Sequence, residues 1–105
     1  MDDVIKRIVE FRDERNWKQF HTPANLAKSI AIEAGELLEC FQWDDTTYNI
    51  EDVKDELADV MIYCLQMSDE LNLNIKDIIN NKMLKNEKKY PLSKSKNTSK
   101  KYDKL

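Results

Sequence analysis

Residues 30–43 read IAIEAGELLECFQW, and this stretch decides the fold. Between Lys28 and Glu39 its only charged side chains are Glu33 and Glu36, and apolar residues fill most of the rest of the helical circumference. A helix that is apolar on most of its surface is usually buried. We therefore expect an interior helix that carries two carboxylates.

A second stretch, ELADVMIYCLQM at residues 56–67, repeats this arrangement. Glu56 and Asp59 are its last charges before Asp69. In each stretch the two acids are three residues apart, so at ~100° per residue they lie side by side on one helix face. Ionised carboxylates are costly to take out of water unless they are paired or bind a metal. The pattern therefore favours a divalent cation among four carboxylates.

The composition is that of one small helical domain. The chain has 105 residues, of which 41% are hydrophobic and 35% charged. A core of this size is limited, and oligomerisation would add burial. There is no apolar run of about 18 residues and no signal-peptide pattern at the start, so we expect a cytoplasmic protein without a membrane span. Cys40 and Cys64 are expected to be reduced and buried, because their spacing suits neither a disulfide framework nor a zinc site.

Charge is distributed unevenly along the chain. Residues 1–81 hold 8 Lys/Arg against 18 Asp/Glu, a net charge of −10, whereas residues 82–105 hold 9 Lys against 2 acids, a net charge of +7. An acidic body concentrates cations, and a basic end attracts anions. Residues 92–105 are polar and basic, which predicts a tail that is mobile on its own, after a helical domain at residues 1–91.

Start and stop signals divide the rest of the chain into four helices and no strand, an all-α fold. Thr22 before Pro23, Asn49 and Asn74 are predicted to cap the last three helices, and Tyr90-Pro91 stops the fourth. The predicted spans are Asp3 to about Arg15, Pro23 to about Gln42, Ile50 to about Leu71, and Ile75 to about Lys89.

The only glycine, Gly35, falls between Glu33 and Glu36 in mid-helix. Glycine costs about 1 kcal/mol there relative to alanine, so something should need the space. Close packing of a neighbouring helix and close approach of a ligand or metal both remain open.

Ligands that are all oxygen favour Mg²⁺ or Mn²⁺ over zinc or copper. Because Mg²⁺ usually also binds substrate phosphates, the cluster points to phosphate-ester or anhydride chemistry. A di-iron centre would need Glu-x-x-His, but the sole histidine, His21, lies in a loop, where we expect a structural contact. An EF-hand starting at Asp44 would need glycine where Asn49 stands.

Aromatic side chains lie near both ends of the acidic helices. Trp17 and Trp43 are at junctions between loops and helices, and Tyr63 follows Asp59 by one turn. Such rings could stack on a nucleotide base or cap the core, and the pattern alone leaves both open.

Five segments together resemble the MazG-like all-α nucleoside triphosphate pyrophosphohydrolases, and within them the dCTP pyrophosphatase branch. The resemblance covers nearly the whole chain. The segments are ERNWKQFHTPANL (14–26), IEAGELLECFQW (32–43), DELADVMIYCL (55–65), NEKKYP (86–91) and SKKYDKL (99–105).

The resemblance implies an antiparallel four-helix bundle that assembles as a homo-oligomer, a dimer or a tetramer, with the basic tail docked on the assembly. It implies hydrolysis of nucleoside triphosphates between the α and β phosphates, which clears unwanted nucleotides. The implied catalytic ligands of Mg²⁺, with Mn²⁺ as a substitute, are Glu33, Glu36, Glu56 and Asp59. The implied substrate contacts are Trp17, Trp43 and Tyr63 at the base or sugar, and Lys82, Asn86 and Tyr90 at the phosphates.

Two positions depart from relatives. Ile32 stands where many MazG proteins have another glutamate, which excludes a fifth ligand. Ile8 stands where some relatives of the dCTP pyrophosphatase branch have a histidine near the base, so a preference for cytosine is open. A different class of function also remains: a non-catalytic helical oligomer that binds nucleic acid or an acidic partner through its basic C-terminal segment.

Overall fold

The computed structural model describes all 105 residues and contains helices and no strand, which confirms the all-α prediction. The four predicted helices are present; the predicted starts of the last three and the end of the fourth are exact, and the other ends differ by one to three residues. The helices are α1 (Asp2–Glu14), α2 (Pro23–Glu39), α3 (Ile50–Glu70), α4 (Ile75–Lys89) and α5 (Leu92–Ser95), with 3₁₀ turns at Lys18–Phe20 and Tyr102–Lys104. No helix is long and apolar enough to cross a membrane.

Side-chain caps start three of these helices as the sequence predicts. Thr22 Oγ1 accepts a hydrogen bond from the Asn25 amide at 3.1 Å. Asn49 Oδ1 accepts from the amides of residues 51 and 52, and Asn74 Oδ1 accepts from the Asp77 amide at 3.1 Å. Each cap satisfies amide groups that the first turn of a helix leaves without partners.

Asparagines occupy the left-handed backbone region where helices end. Asn16 has φ 53° just after α1, Asn72 has φ 55° just after α3, and Asn97 has φ 69° just after α5. Asparagine tolerates this region better than most residues because its short side chain bonds locally to the backbone. Asn72 ends α3 as predicted.

The chain divides into two compact units, residues 1–72 and residues 73–105. In the first unit, α3 packs along α2 and also contacts α1. The most buried apolar side chains are Leu26 on α2, 1% exposed, and Leu65 on α3, 3% exposed. Helix α3 is therefore the central element of this unit.

A buried ion pair joins α1 to the C-terminal end of α3. Arg12 is 3% exposed, and its Nη1 lies 2.9 Å from Asp69 Oδ2. Its Nε lies 2.9 Å from Asp13 Oδ1. The guanidinium is buried, while its two carboxylate partners stay partly exposed, Asp69 at 34% and Asp13 at 54%.

The expectation that α2 is an interior helix is wrong for the single chain. Only Leu26 of α2 is fully buried, whereas Ile32 is 63% and Leu38 69% exposed. The physical reason is that α2 packs chiefly on α3, which covers one side of its apolar circumference. The hydrophobic pattern indicated which surface of α2 should be covered, but the other helix residues of the unit 1–72 do not cover it.

Gly35 likewise has no neighbour within the chain. A Cβ atom added there would meet no atom within 4 Å apart from its own helix and chain neighbours. Close packing by a helix within residues 1–72 is therefore not the reason for this glycine. The open flank leaves a ligand or a second copy of the chain.

In the second unit, the basic tail folds back on the end of α4. The rings of Tyr90 and Tyr102 meet edge to face with centroids 6.3 Å apart, and Lys89 Nζ lies 4.9 Å from the centroid of the Tyr102 ring. Its composition alone had suggested a free tail. In the structure these contacts instead hold the tail against α4. Apolar side chains of α4 are exposed, among them Ile79, Met83 and Leu84.

Candidate metal and substrate site

The packing of α2 on α3 brings the four predicted carboxylates together. Glu33, Glu56 and Asp59 each offer a carboxylate oxygen, and these oxygens lie within 4.8 Å of one another. Glu36 is exposed and lies outside this group of three, but it is close enough to interact with the carboxyl groups of both Glu33 and Glu56. The spacing of three residues places each pair on one face, and the contact between the helices makes the two faces meet.

Burial and mutual repulsion act on this cluster together. Burial raises the pKa of Glu33 above its ordinary value, and the neighbouring Glu36 and Asp59 raise it further. Burial also raises the pKa of Glu56, again with a contribution from Glu36. The cluster therefore resists full ionisation unless a positive charge joins it.

The chain itself supplies no such charge. No lysine or arginine nitrogen lies within 4.0 Å of any of the four carboxylates. Glu33 Oε2 and Glu56 Oε2 are buried and have no hydrogen-bond partner. Buried polar atoms in folded proteins nearly always have partners, and carboxylate oxygens suit hard divalent cations. The cluster therefore fits a divalent cation.

A cavity of about 480 Å³ lies between α1 and α3, with Asp59 in its wall. Its volume is within the range of small-molecule sites, roughly 300–1,000 Å³. Most of its wall is apolar or aromatic, formed by Val4, Ile8, Phe11, Trp17, Ile62 and Tyr63. The cavity therefore offers flat apolar surface next to a carboxylate of the acidic cluster.

Two polar residues of the cavity wall each have a buried atom without a hydrogen-bond partner. Gln66 is 6% exposed, and its Oε1 is buried without a hydrogen-bond partner. His21, expected to make a structural loop contact, instead lines the cavity, and its Nδ1 is buried without a partner. Burial lowers the pKa of His21 and the nearby Arg12 lowers it further, so the imidazole is neutral at pH 7.

Two of the three predicted aromatic contacts lie at the cavity. Trp17 and Tyr63 both line it, and the Trp17 ring meets Phe11 edge to face with centroids 5.7 Å apart. Trp43 does not line the cavity and is 91% exposed in the loop after α2.

The three residues predicted at the phosphates belong to the second unit, residues 73–105. Lys82 and Asn86 lie on α4, and Tyr90 follows its last residue. Lys82 is exposed, Asn86 is half-buried, and Tyr90 packs on Tyr102. Their contact with substrate remains a prediction.

The sequence analysis missed Gln66 and Phe11 as cavity residues, whereas Ile8, which the resemblance placed near the base, does line the cavity. A signal for Gln66 was available, because it lies seven residues after Asp59 and three after Tyr63 in an otherwise apolar run. That spacing keeps all three on one helix face. Nothing in the local pattern of α1 identified its contact with that face of α3.

Comparisons with known proteins agree with this geometry. The MazG-like family model matches residues 28–105. The chain is similar to mouse dCTP pyrophosphatase 1, with 32% identity over 100% of this chain and 67% of the mouse protein, and to its human counterpart, with 31% identity at the same coverage. A crystal structure of a pyrophosphatase from Archaeoglobus fulgidus is also similar, with a TM-score of 0.77 and 44% identity over 87% of this chain and 92% of that chain.

Proposed function

The chain belongs to the MazG-like family and is a nucleoside triphosphate pyrophosphohydrolase, and we propose that it cleaves deoxynucleoside triphosphates between the α and β phosphates. The products would be a nucleoside monophosphate and pyrophosphate. One observation carries the proposal: the carboxylates of Glu33, Glu56 and Asp59 meet with no basic side chain in ion-pair contact, and Asp59 also lines an apolar cavity of nucleotide-binding size.

We propose that Glu33, Glu36, Glu56 and Asp59 hold Mg²⁺, with Mn²⁺ as a substitute. The unpartnered oxygens of Glu33 and Glu56 support this role. Mg²⁺ bound there would neutralise phosphate charge and lower the pKa of a water molecule. The four carboxylates are then the catalytic residues, because they fix where the triphosphate reacts.

The remaining predicted contacts complete the proposal for the substrate. Trp17 and Tyr63 would flank the base, and their position in the cavity wall supports this. Trp43 would contact the base or sugar from its exposed loop, and Lys82, Asn86 and Tyr90 would contact the phosphates. The names of the mouse and human relatives support a preference for dCTP. We also propose that the protein is cytoplasmic and clears unwanted nucleotides.

We further propose that the chain forms a homo-oligomer, a dimer or a tetramer, in which the four long helices form an antiparallel bundle. The exposed apolar side chains of α2 and α4 support assembly, because large exposed apolar patches usually mark interaction surfaces. The open flank of Gly35 also suits close approach of a second copy. Residues 92–105 would dock on the assembly formed by the helical domains at residues 1–91.

The experiment that tests the function is a panel of deoxynucleoside triphosphates with identification of the products. We expect pyrophosphate and a monophosphate with Mg²⁺ present and no cleavage with a chelator. Release of orthophosphate, or cleavage that persists with the chelator, would overturn the proposal. Light scattering at several protein concentrations tests the assembly, and a monomer at all of them would contradict it.

The same panel separates catalysis from a binding function. If no triphosphate is cleaved, while the protein binds RNA or DNA in a salt-sensitive manner that deletion of residues 92–105 removes, the protein is a binding module. The +7 net charge of residues 82–105 is the feature that such binding would use.

A further inference from the structure

We propose that the buried ion pair between Arg12 and Asp69 positions the Trp17 ring at the cavity between α1 and α3. The pair belongs to the fold and neither residue lines the cavity, so it acts on the substrate only through that ring. This inference rests on the proposed function, since the position of the ring matters to the reaction only if a base stacks on it. A ring that is held in place before binding stacks at a lower entropic cost.

Helix α1 has a single fully buried attachment to α3. Arg12 is the only fully buried residue of α1, and its Nη1 donates to Asp69 Oδ2 at 2.9 Å. Two apolar residues of α1 that line the cavity stay half open, with Val4 50% and Phe11 46% exposed. Because no apolar side chain of α1 is fully buried, apolar packing alone does not fix the distance between the helices. The charge-assisted hydrogen bond, which is stronger than a neutral one, sets that distance near the end of α1.

The backbone of Arg12 leads directly to Trp17. The Trp17 amide donates to the Arg12 carbonyl at 3.0 Å, and the Asn16 amide donates to the Asp13 carbonyl at 3.0 Å. With Asn16 in the left-handed region, these two bonds form the turn that ends α1. The Trp17 ring then meets Phe11 edge to face. The residue that anchors α1 is therefore hydrogen-bonded to the residue that lines the cavity.

No other ion pair in this region can replace the contact with Asp69. Lys18 follows Trp17 and reaches Glu70 on α3, but the two charges are 4.0 Å apart and Lys18 is 58% exposed. Pairs of this kind contribute little. Asp13 lies 2.9 Å from Arg12 Nε, but it belongs to α1 itself. Asp69 is thus the partner that ties the end of α1 to α3.

The first test compares Asp69→Ala with Asp13→Ala as its matched control. Each removes one carboxylate that lies 2.9 Å from Arg12, and only Asp69→Ala releases α1 from α3. With saturating Mg²⁺ and the best triphosphate of the panel, we expect Asp69→Ala to raise KM about fivefold or more, the value of one base–ring stack. It should leave kcat unchanged, because the acidic cluster lies between α2 and α3. Asp13→Ala should keep both constants.

A second comparison tests whether Asp69 acts through Trp17. In Trp17→Ala the contribution of the ring is already lost, so adding Asp69→Ala should raise KM by less than about twofold. Two contacts that act independently would instead show the full increase in both backgrounds. The double variant therefore separates positioning of the ring from any other effect of Asp69.

Quenching of Trp17 fluorescence by acrylamide measures the position of the ring without nucleotide. The variants are made in a Trp43→Phe background, because Trp43 is 91% exposed and would dominate the quenching. We expect stronger quenching of Trp17 in Asp69→Ala and no change in Asp13→Ala. If Asp69→Ala does not fold, Asp69→Asn replaces it. Asparagine keeps an oxygen acceptor and loses the charge, so it should show the same changes at a smaller size.

Four results would overturn the inference while the wild type still cleaves triphosphates and the proposed function stands. They are an unchanged KM in the folded Asp69 variant, unchanged quenching of Trp17 in that variant, an equal increase of KM in Asp13→Ala, and a full increase of KM in the Trp17→Ala background. A wild type that cleaves no triphosphate is a different outcome, because it removes the proposed function and this inference together.

Discussion

Helix α3 carries acidic side chains in two places, and only one of the two has a basic partner. Near its C-terminal end, Asp69 faces the buried Arg12 at 2.9 Å. Nearer its start, Glu56 and Asp59 meet Glu33 across the contact with α2, and no basic side chain reaches them. The same fold therefore neutralises one acidic position and leaves the other without a counterion.

This difference indicates which charges belong to the fold and which belong to function. Burying a charge is unfavourable unless a partner is close, and an internal arginine is one available partner. No arginine reaches the carboxylates between α2 and α3, and there the pKa values of Glu33 and Glu56 are raised. Such perturbed groups are typical of sites that receive their counterion from outside.

The largest effect should come from removing one charge of the unpaired cluster. We expect Glu56→Gln to lower pyrophosphate release by at least ~100-fold, because a ligand of the cation is lost where phosphate charge must be stabilised. Glu51→Gln is the matched control, since Glu51 is an exposed glutamate of the same helix that pairs with Lys54 at 3.1 Å. Full activity in Glu56→Gln would show that the cluster is not the catalytic centre.

The next largest effect concerns the paired position. We expect Arg12→Leu to lower the free energy of unfolding by up to about 3 kcal/mol, because the charged hydrogen bonds from the buried guanidinium to Asp69 and Asp13 are lost. Urea unfolding measures this change. Arg15→Leu is the control, because Arg15 is 42% exposed and pairs with Glu14 only at 3.7 Å. Arg15→Leu should lower the free energy of unfolding by about 1 kcal/mol or less. Equal losses in both variants would remove the contrast between the two acidic positions.

A third effect should appear when Mg²⁺ is added to the free protein. A cation present at a hundredfold excess over its Kd stabilises the folded state by about 2.7 kcal/mol. We therefore expect a higher melting temperature in the wild type and a much smaller increase in Glu33→Gln. A wild-type melting temperature that Mg²⁺ leaves unchanged, with and without a non-hydrolysable nucleotide, would contradict the metal site.

The smallest effect that we expect is on the pH dependence of stability without metal. Glu33 and Glu56 have folded-state pKa values above the ordinary 4.5. Between that value and the raised pKa the folded protein binds more protons than the unfolded chain, so these two groups make stability fall as pH rises. Their favourable contribution is full below pH 4.5 and is lost as pH rises through the folded pKa.

Comparison with a Glu33→Gln, Glu56→Gln double variant isolates this effect from that of other carboxylates. From pH 4.5 to 7, the metal-free wild type should lose stability relative to the double variant, and Mg²⁺ should remove the difference. A constant difference across this range would show that the two groups titrate normally.

Local features of the fold were predictable from the sequence. The caps at Thr22, Asn49 and Asn74 form as predicted, because a cap depends on a side chain and on amides two or three residues away. The pairing of acids on each helix face was also predictable, because helix geometry fixes the spacing of three residues. Their meeting between α2 and α3 follows from the short loop that joins these helices.

Features that depend on contacts between distant segments were not predictable. The cavity exists because α1 meets one face of α3, and no pattern within α1 specifies that face. For this reason Gln66 and His21 were not recognised as its polar groups. The exposure of Ile32 and Leu38 was missed for a related reason, since an apolar surface in a sequence does not show whether its cover comes from the same chain.

The backbone at the helix exits has a consequence for the unfolded chain. The one glycine, Gly35, lies within a helix, and asparagines at positions 16, 72 and 97 make the left-handed exits. Compared with glycine, asparagine has fewer backbone conformations in the unfolded chain, so less conformational entropy is lost at these exits when the helices form. The left-handed conformation is less favourable for asparagine than for glycine, and this offsets part of the gain.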